Sequence, residues 1–127
     1  MATVLVIEDE AAIRANLTRL LKAEGYAVIT AADGAGGVAT ARERRPDLII
    51  CDILMPRMDG YAVLAALRAD TATASIPLVF LTASADKDDR SRGLASGARD
   101  YVTKPYKLNE LLAVVRKHVG GDSPKSK

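Results

Sequence analysis

Short apolar runs alternate with helical patterns along this chain, and this alternation limits the folds that it can adopt. The runs are rich in β-branched residues and have the length of strands. They occupy residues 4–7, 26–30, 48–51, 78–81 and 101–103. A helical segment follows each run, so the chain reads as five strand and helix pairs. Strict alternation of this kind predicts a parallel sheet with right-handed crossovers and helices on both faces.

The helical segments differ in helix propensity and in apolar content. The second helix, predicted at about residues 34–44, contains Gly36 and Gly37, and each glycine costs about 1 kcal/mol relative to alanine. We therefore expect it to be the least stable element, short or frayed at its start. The fourth helix, predicted at residues 86–96, is polar with Leu94 as its main apolar anchor, so it should lie at the surface.

The length of the chain fits one domain. With 127 residues, of which 49% are hydrophobic, the chain can bury a core of its own. For an alternating α/β chain of this size we expect a doubly wound (βα)5 fold with the flavodoxin-like strand order 2-1-3-4-5. We assign residues 1–119 to this domain and residues 120–127 to a flexible tail.

Composition excludes several classes of protein. No apolar run is long enough to span a membrane and no signal peptide is visible, so we expect a cytoplasmic protein without a membrane partner. The net charge of +2 is too small to indicate direct nucleic-acid binding. Cys51, the single cysteine, lies in an apolar run and is predicted to be a core residue. His118, the single histidine, is interpreted as solvated or as compensating the helix dipole rather than as a ligand.

Polar side chains end four of the five apolar runs. Glu8 and Asp9 follow the first run, Asp52 the third, Thr82 the fourth and Lys104 the fifth. The carboxyl ends of parallel strands share one edge of a sheet, and ligands of open α/β sheets bind outside that edge. We therefore expect these five side chains to converge on one site.

The chemistry of these groups predicts a phosphoryl site. Three carboxylates held together repel one another unless a cation neutralises them, which indicates a hard divalent ion such as Mg²⁺. Asp9 and Asp52 would bind the ion directly and Glu8 through water. Lys104 supplies a charge and Thr82 a hydroxyl for phosphoryl oxygens, so the sum is a phosphoryl site built on a carboxylate nucleophile.

Five motifs of the chain resemble those of one known family. They are VIEDE at 6–10, DILMPRMDG at 52–60, LTA at 81–83, GARDY at 97–101 and KPY at 104–106. Together they are highly specific, and residues 3–119 resemble the receiver domain of two-component response regulators. No output module is recognisable after residue 119, which favours a stand-alone regulator similar to those of chemotaxis. A fragment of a larger regulator would end in the same way.

The resemblance implies a role for each site residue. Asp52 accepts a phosphoryl group from the phosphohistidine of a histidine kinase or a phosphotransfer protein. Mg²⁺ is bound by Asp9, Asp52 and the backbone carbonyl of Leu54. The peptide bond between Lys104 and Pro105 is expected to be cis. The protein is then not an enzyme but a switch, which catalyses only its own phosphorylation and slow dephosphorylation.

The resemblance also implies a switch pair, Thr82 and Tyr101. Their movement would alter a surface that binds an unknown downstream protein. Arg99 stands where many DNA-binding relatives have an acid, which weakens the case for their dimer. We therefore expect a monomer or a weak, phosphorylation-dependent dimer.

Three alternatives share the expected topology. A hydrolase with an Asp nucleophile would have a second Asp two residues later, and that position is Leu54. A flavin-binding module needs a hydroxyl-rich phosphate loop after the first strand, and Glu8 and Asp9 would repel the phosphate. A pseudo-receiver that only docks proteins would not need the acid, hydroxyl and lysine set.

Overall fold

The computed structural model describes residues 1–83 and 97–119 of the chain. The strands are β1 (Thr3–Ile7), β2 (Ala27–Ala31), β3 (Leu48–Asp52), β4 (Leu78–Thr82) and β5 (Asp100–Thr103). The helices are α1 (Ala11–Ala23), α2 (Gly34–Arg44), α3 (Gly60–Arg68) and α4 (Leu108–His118). The helix predicted at residues 86–96 and the tail predicted at 120–127 lie outside the described residues.

All five strands pair in parallel, in the order β2-β1-β3-β4-β5. The predicted flavodoxin-like order is therefore confirmed. Every residue of β3 and of β4 is buried, in agreement with their continuous apolar runs. The order places β1, β3 and β4 side by side, so the polar residues that follow these strands meet at one edge of the sheet.

Two hydrophobic cores lie on opposite faces of the sheet, because successive side chains of a strand point to opposite sides. Leu5 and Ile7 of β1 pack in the core under α2 and α3, together with residues such as Val38 and Leu64. The alternate residues of β1 pack in the other core with α1 and α4, whose buried contributions include Leu17, Leu21, Leu111 and Val115. The helices therefore cover both faces, as the alternating sequence predicted.

Helix α2 corrects one expectation. It has 11 residues, and its first turn is capped by Asp33, whose carboxylate accepts a hydrogen bond of 2.7 Å from the amide of Gly36. A Cβ on Gly37 would lie 2.5 Å from Cδ1 of Ile7. The prediction of a short or frayed start was wrong, because the cap fixes the first turn. Gly37 also lets the helix approach β1 closely.

The loop between β3 and α3 folds back on the end of β3. The carboxylate of Asp59 accepts a hydrogen bond of 2.9 Å from the amide of Ala62, which caps α3 as its position in the sequence suggests. The amide of Gly60 donates to the carbonyl of Ile53 at 2.8 Å. A Cβ on Gly60 would lie 2.8 Å from the carbonyl oxygen of Asp52, so the start of α3 is pressed against the strand end.

Candidate functional site

Three carboxylates meet where β1 and β3 end. One carboxylate oxygen from each of Glu8, Asp9 and Asp52 can be chosen so that all three lie within 4.8 Å of one another. Glu8 is fully buried and Asp52 is 4% exposed, whereas Asp9 is exposed. No other group of three or more His, Cys, Asp or Glu side chains in residues 1–83 and 97–119 is arranged to hold a metal ion.

Lys104 brings a positive charge into this cluster. Its Nζ lies 3.0 Å from Oε1 of Glu8 and 3.5 Å from Oδ1 of Asp52. The backbone amide of Lys104 donates to the carbonyl of Thr82 at 2.7 Å, so the ends of β4 and β5 are held together. The bond between Lys104 and Pro105 is cis, as the resemblance implied.

Burial and the charge of the partner group shift the pKa of each of these groups in opposite directions. Burial raises the pKa of Glu8, and hydrogen bonds from the Glu10 amide and from Lys104 only partly oppose it. Burial also raises the pKa of Asp52, against the nearby charge of Lys104. Burial alone would lower the pKa of Lys104, but its hydrogen bond to Glu8 and the charge of Asp52 outweigh burial and raise it. The described site contains three carboxylates and one lysine, so its carboxylates, when ionised, carry more charge than Lys104 can neutralise.

Thr82 and Tyr101 lie on the neighbouring strands. Thr82 ends β4 and is 2% exposed. Tyr101 is 6% exposed and belongs to the same core as Phe80 and Ala98, so its ring is buried in this structure. Leu54 follows the end of β3, and its side chain is 69% exposed.

Arg14 is a contributor that the sequence did not indicate. Its Nη1 donates to the carbonyl of Glu8 at 2.8 Å and, over a longer distance of 3.5 Å, to the carbonyl of Asp9. An arginine among the alanines at the start of α1 has no local pattern that distinguishes it from a solvated residue. Only the packing of α1 against the end of β1 brings the guanidinium to these carbonyls.

The structure bears on one of the two sequence interpretations of His118. Its side chain is 12% exposed, so it is not solvated, whereas its position in the last turn of α4 is compatible with compensation of the helix dipole. Its Nε2 lies 3.0 Å from Oδ2 of Asp100 on β5. The pair ties the end of α4 to the start of β5.

A parallel sheet of this order that collects three carboxylates and a lysine at one edge is the arrangement expected of a receiver domain. The family model for the response regulator receiver domain matches residues 4–116, and the chain belongs to this family. Its members act as phosphoacceptor switches.

Known proteins of two kinds are similar to this chain. The DNA-binding dual master transcriptional regulator RpaA of Synechocystis sp. is 43% identical over 116 residues, which make up 91% of this chain and 48% of RpaA. The chain thus spans about half the length of the curated relatives it matches. The Vibrio cholerae chemotaxis protein CheY4 has a TM-score of 0.88 and 34% identity, over 93% of this chain and 98% of its own.

A third similar protein carries a metal. The receiver domain of the sensor histidine kinase PA1611 of Pseudomonas aeruginosa has a TM-score of 0.86 and 33% identity, over 94% of this chain and 98% of its own. Its structure holds a magnesium ion coordinated in the active site cleft.

Among the described helices of the present chain, none has the length and apolar character needed to cross a bilayer.

Proposed function

We propose that this chain is a phosphorelay receiver in which Asp52 accepts a phosphoryl group from a phosphohistidine. The observation that carries the proposal is the position of Lys104, whose Nζ contacts the buried carboxylates of Glu8 and Asp52 at the edge of the sheet. A lysine at this point can transfer its contact from a carboxylate to a phosphoryl oxygen on Asp52. The donor of the phosphoryl group is a histidine kinase or a histidine phosphotransfer protein.

The residues fit a bound Mg²⁺. Three carboxylates lie within 4.8 Å of one another with Lys104 beside two of them, so a divalent cation would neutralise the remaining negative charge. Asp9, Asp52 and the backbone carbonyl of Leu54 would bind the ion, with Glu8 acting through water. When bound, the ion would neutralise the charge that develops on the phosphoryl oxygens.

The chain's own groups supply position and charge. A carboxylate oxygen of Asp52 forms the bond to phosphorus, and the bond between phosphorus and the donor's imidazole nitrogen breaks. The imidazole leaves with the electron pair of that bond and takes up a proton. Lys104 and the hydroxyl of Thr82 hold phosphoryl oxygens in the product. Thr82 thereby moves toward Asp52, and Tyr101 is the residue that responds to this movement.

Mass measurement tests the proposal directly. Wild-type protein incubated with acetyl phosphate and Mg²⁺ should gain the mass of one phosphoryl group, and Asp52→Asn should gain nothing. Omission of Mg²⁺ should abolish the gain in the wild type. Equal labelling of Asp52→Asn and wild type would contradict Asp52 as the acceptor.

Two kinds of output are consistent with the similar proteins. The first candidate is a surface that binds a downstream protein, which the 34% identity to the chemotaxis protein CheY4 supports. The second candidate is a receiver that controls a DNA-binding part of a longer protein, which the identity to RpaA over about half of its length supports. In both cases the receiver itself makes no direct contact with nucleic acid. A gel-shift assay with the phosphorylated chain and a random DNA duplex should therefore show no complex, and a complex would contradict this.

A further inference from the structure

Arg14 holds the backbone of the segment that carries two of the three site carboxylates. Its Nη1 donates to the carbonyl of Glu8 at 2.8 Å and to that of Asp9 at 3.5 Å. Side chains of a helix tilt toward its N-terminus, so a long side chain in the first turns of α1 can reach back to the end of β1. The guanidinium has several donors in a rigid plane and can bond two neighbouring carbonyls at once.

The segment between β1 and α1 has few other restraints. Glu10 is the N-cap of α1 but makes no side-chain capping hydrogen bond. The amide of Glu8 is bonded to the carbonyl of Ala31, and the amide of Glu10 to the carboxylate of Glu8. In the described part of the chain, the carboxylate of Asp9 is exposed and no side-chain hydrogen bond holds it. Its direction therefore depends on how its peptide is fixed.

Arg14 is itself held in place within α1. The hydroxyl of Thr18 donates to the carbonyl of Arg14 at 2.8 Å, and the amide of Arg14 donates to the carbonyl of Glu10 at 3.0 Å. The side chain is half-buried, so water competes only partly for its hydrogen bonds. The contact to Glu8 thus joins a rigid helix to a segment that carries metal-binding groups.

We propose that Arg14 is a positioning residue for the divalent cation: it fixes the Glu8 and Asp9 carbonyls and thereby aims the carboxylate of Asp9 at the ion. This inference rests on the proposed Mg²⁺ site. Arg14 does not touch the ion or the phosphoryl group. It acts as the outer partners of metal ligands do, by orienting a group that binds the metal and by reducing the cost of ordering it.

Two substitutions separate hydrogen bonding from packing. Arg14→Met keeps an aliphatic stem of similar shape but has no donor, and Arg14→Lys keeps a donor and the charge. Arg19→Met is the matched control, because Arg19 is an exposed arginine on the same helix whose Nη2 donates to Oδ1 of Asn16 at 2.5 Å. Among the described residues, no hydrogen bond joins its side chain to the β1 to α1 segment. Calorimetric titration with MgCl2 gives the affinity, and urea unfolding in EDTA gives the stability of each apo protein.

We expect Arg14→Met to bind Mg²⁺ about tenfold more weakly than wild type, which is the size of effect seen when an outer partner of a metal ligand is lost. Arg14→Lys should recover part of this loss, and Arg19→Met should bind as wild type does. The urea midpoints in EDTA of Arg14→Met and Arg19→Met should be similar, which a purely structural role of Arg14 would not give.

Three results would overturn the inference. They are equal Mg²⁺ affinity of Arg14→Met and Arg19→Met, equal affinity of Arg14→Lys and Arg14→Met, and a fall in the urea midpoint of Arg14→Met without a fall in Mg²⁺ affinity. Failure of the wild type to bind Mg²⁺ is a separate outcome. It would contradict the proposed metal site itself, and with it the basis of the inference.

Discussion

Asp52 is buried at the end of β3, and burial disfavours its charged form. Its pKa is raised above the ordinary value of 3.8, first by burial, although Lys104 opposes this. A carboxyl with a higher pKa in the folded than in the unfolded state contributes most to stability below its unfolded pKa. That contribution is lost as the pH rises through the folded value. At neutral pH, without a cation, the ionised Asp52 therefore opposes folding.

Asp52→Asn should raise the free energy of unfolding at pH 7 by about 1 kcal/mol in EDTA, the size of an ordinary single-residue effect. It should also reduce the loss of stability between the ordinary carboxyl pKa of 3.8 and neutral pH. Urea unfolding of both proteins across this pH range measures the effect. Added Mg²⁺ should stabilise wild type more than the variant.

Asp70→Asn is the control of opposite sign. The pKa of Asp70 is lowered, first by the hydrogen bond from the amide of Ala72 and then by Arg42, so its ionised form favours folding. Its contribution is present above the unfolded pKa and is lost as the pH falls through the folded value. Asp70→Asn should lower stability at pH 7. A stabilising Asp70→Asn together with a destabilising Asp52→Asn would contradict both assignments.

Leu54 is placed to control the lifetime of the phosphoryl group. Hydrolysis needs a water held in line behind the phosphorus, and the exposed Leu54 side chain two residues after Asp52 has no atom to hold it. We expect Leu54→Asn to shorten the lifetime without altering Mg²⁺ affinity, because the group proposed to bind the ion is the backbone carbonyl. Ser84, two residues after Thr82, is the other position that we expect to affect this water, and it lies outside the described residues.

Phosphate release after removal of acetyl phosphate measures that lifetime. Leu108→Asn is the control, since Leu108 is also an exposed leucine, 45% accessible, and it begins α4 rather than following β3. An unchanged or slower rate in Leu54→Asn would show that the Leu54 side chain does not prolong the phosphoryl lifetime.

Helix α2 shows how packing reverses a local preference. Helix propensity alone favours Gly37→Ala by about 1 kcal/mol. The structure predicts the reverse, because the new Cβ would lie 2.5 Å from Cδ1 of Ile7, a buried residue of β1. We expect Gly37→Ala to lower the free energy of unfolding by about 1–3 kcal/mol, the usual cost of overpacking a core.

Gly36→Ala is the matched comparison, measured by the same urea unfolding. A Cβ at that position meets only the capping carboxylate of Asp33, at 3.1 Å, which is the movable end of a side chain. The variant should therefore be more stable than Gly37→Ala by at least about 1 kcal/mol. Equal stability of the two variants would show that α2 can move away from β1 at little cost.

At the scale of the whole molecule, we expect the conformational change that follows phosphorylation to reach the surface through β4 and β5. Phe80 of β4 is in register with Tyr101 of β5, and both belong to one core. Movement of Thr82 toward a phosphoryl group on Asp52 should therefore shift residues along these two strands. We expect NMR shifts on addition of beryllofluoride and Mg²⁺ to concentrate in residues 83–106. Shifts restricted to the immediate neighbours of Asp52 would contradict a switch.

Docking of the phosphoryl donor should use the start of α1. Ala11 and Ala15 are exposed there and line an open groove of about 510 Å³, which Arg14, Thr18, Arg19 and Thr30 complete. Asn16 of the same helix donates to the hydroxyl of Tyr106 at 3.1 Å, which joins this surface to the segment after β5. Ala12 and Pro105 are exposed as well. We expect these side chains to leave room for a helix of a phosphohistidine-bearing bundle.

Ala15→Glu should slow transfer from the cognate kinase, because a larger charged side chain would occupy the docking surface. Labelling by acetyl phosphate should remain at the wild-type rate, since Ala15 is not a member of the carboxylate cluster. Rates of both reactions, measured by mass, distinguish the two effects. Equal slowing of both would show that the substitution disturbs the fold or the site rather than docking.

The sequence by itself determined the topology and the identity of the clustered residues. Alternating strand and helix patterns are local, and a parallel sheet then has few possible connections, so the strand order followed. Residues at strand ends, such as Asp52 and Lys104, must share an edge in that order. Their chemical types are read directly from the chain.

Only the tertiary structure decided contacts between side chains that are remote in sequence or reach across elements. It placed Lys104 nearest to Glu8, Arg14 on the carbonyls beneath the site, and His118 against Asp100. It also showed that Gly37 serves the packing of α2 on β1. The physical reason is that periodicity specifies which face of an element is buried, whereas the neighbour of a given side chain depends on how closely, and at what angle, the elements pack.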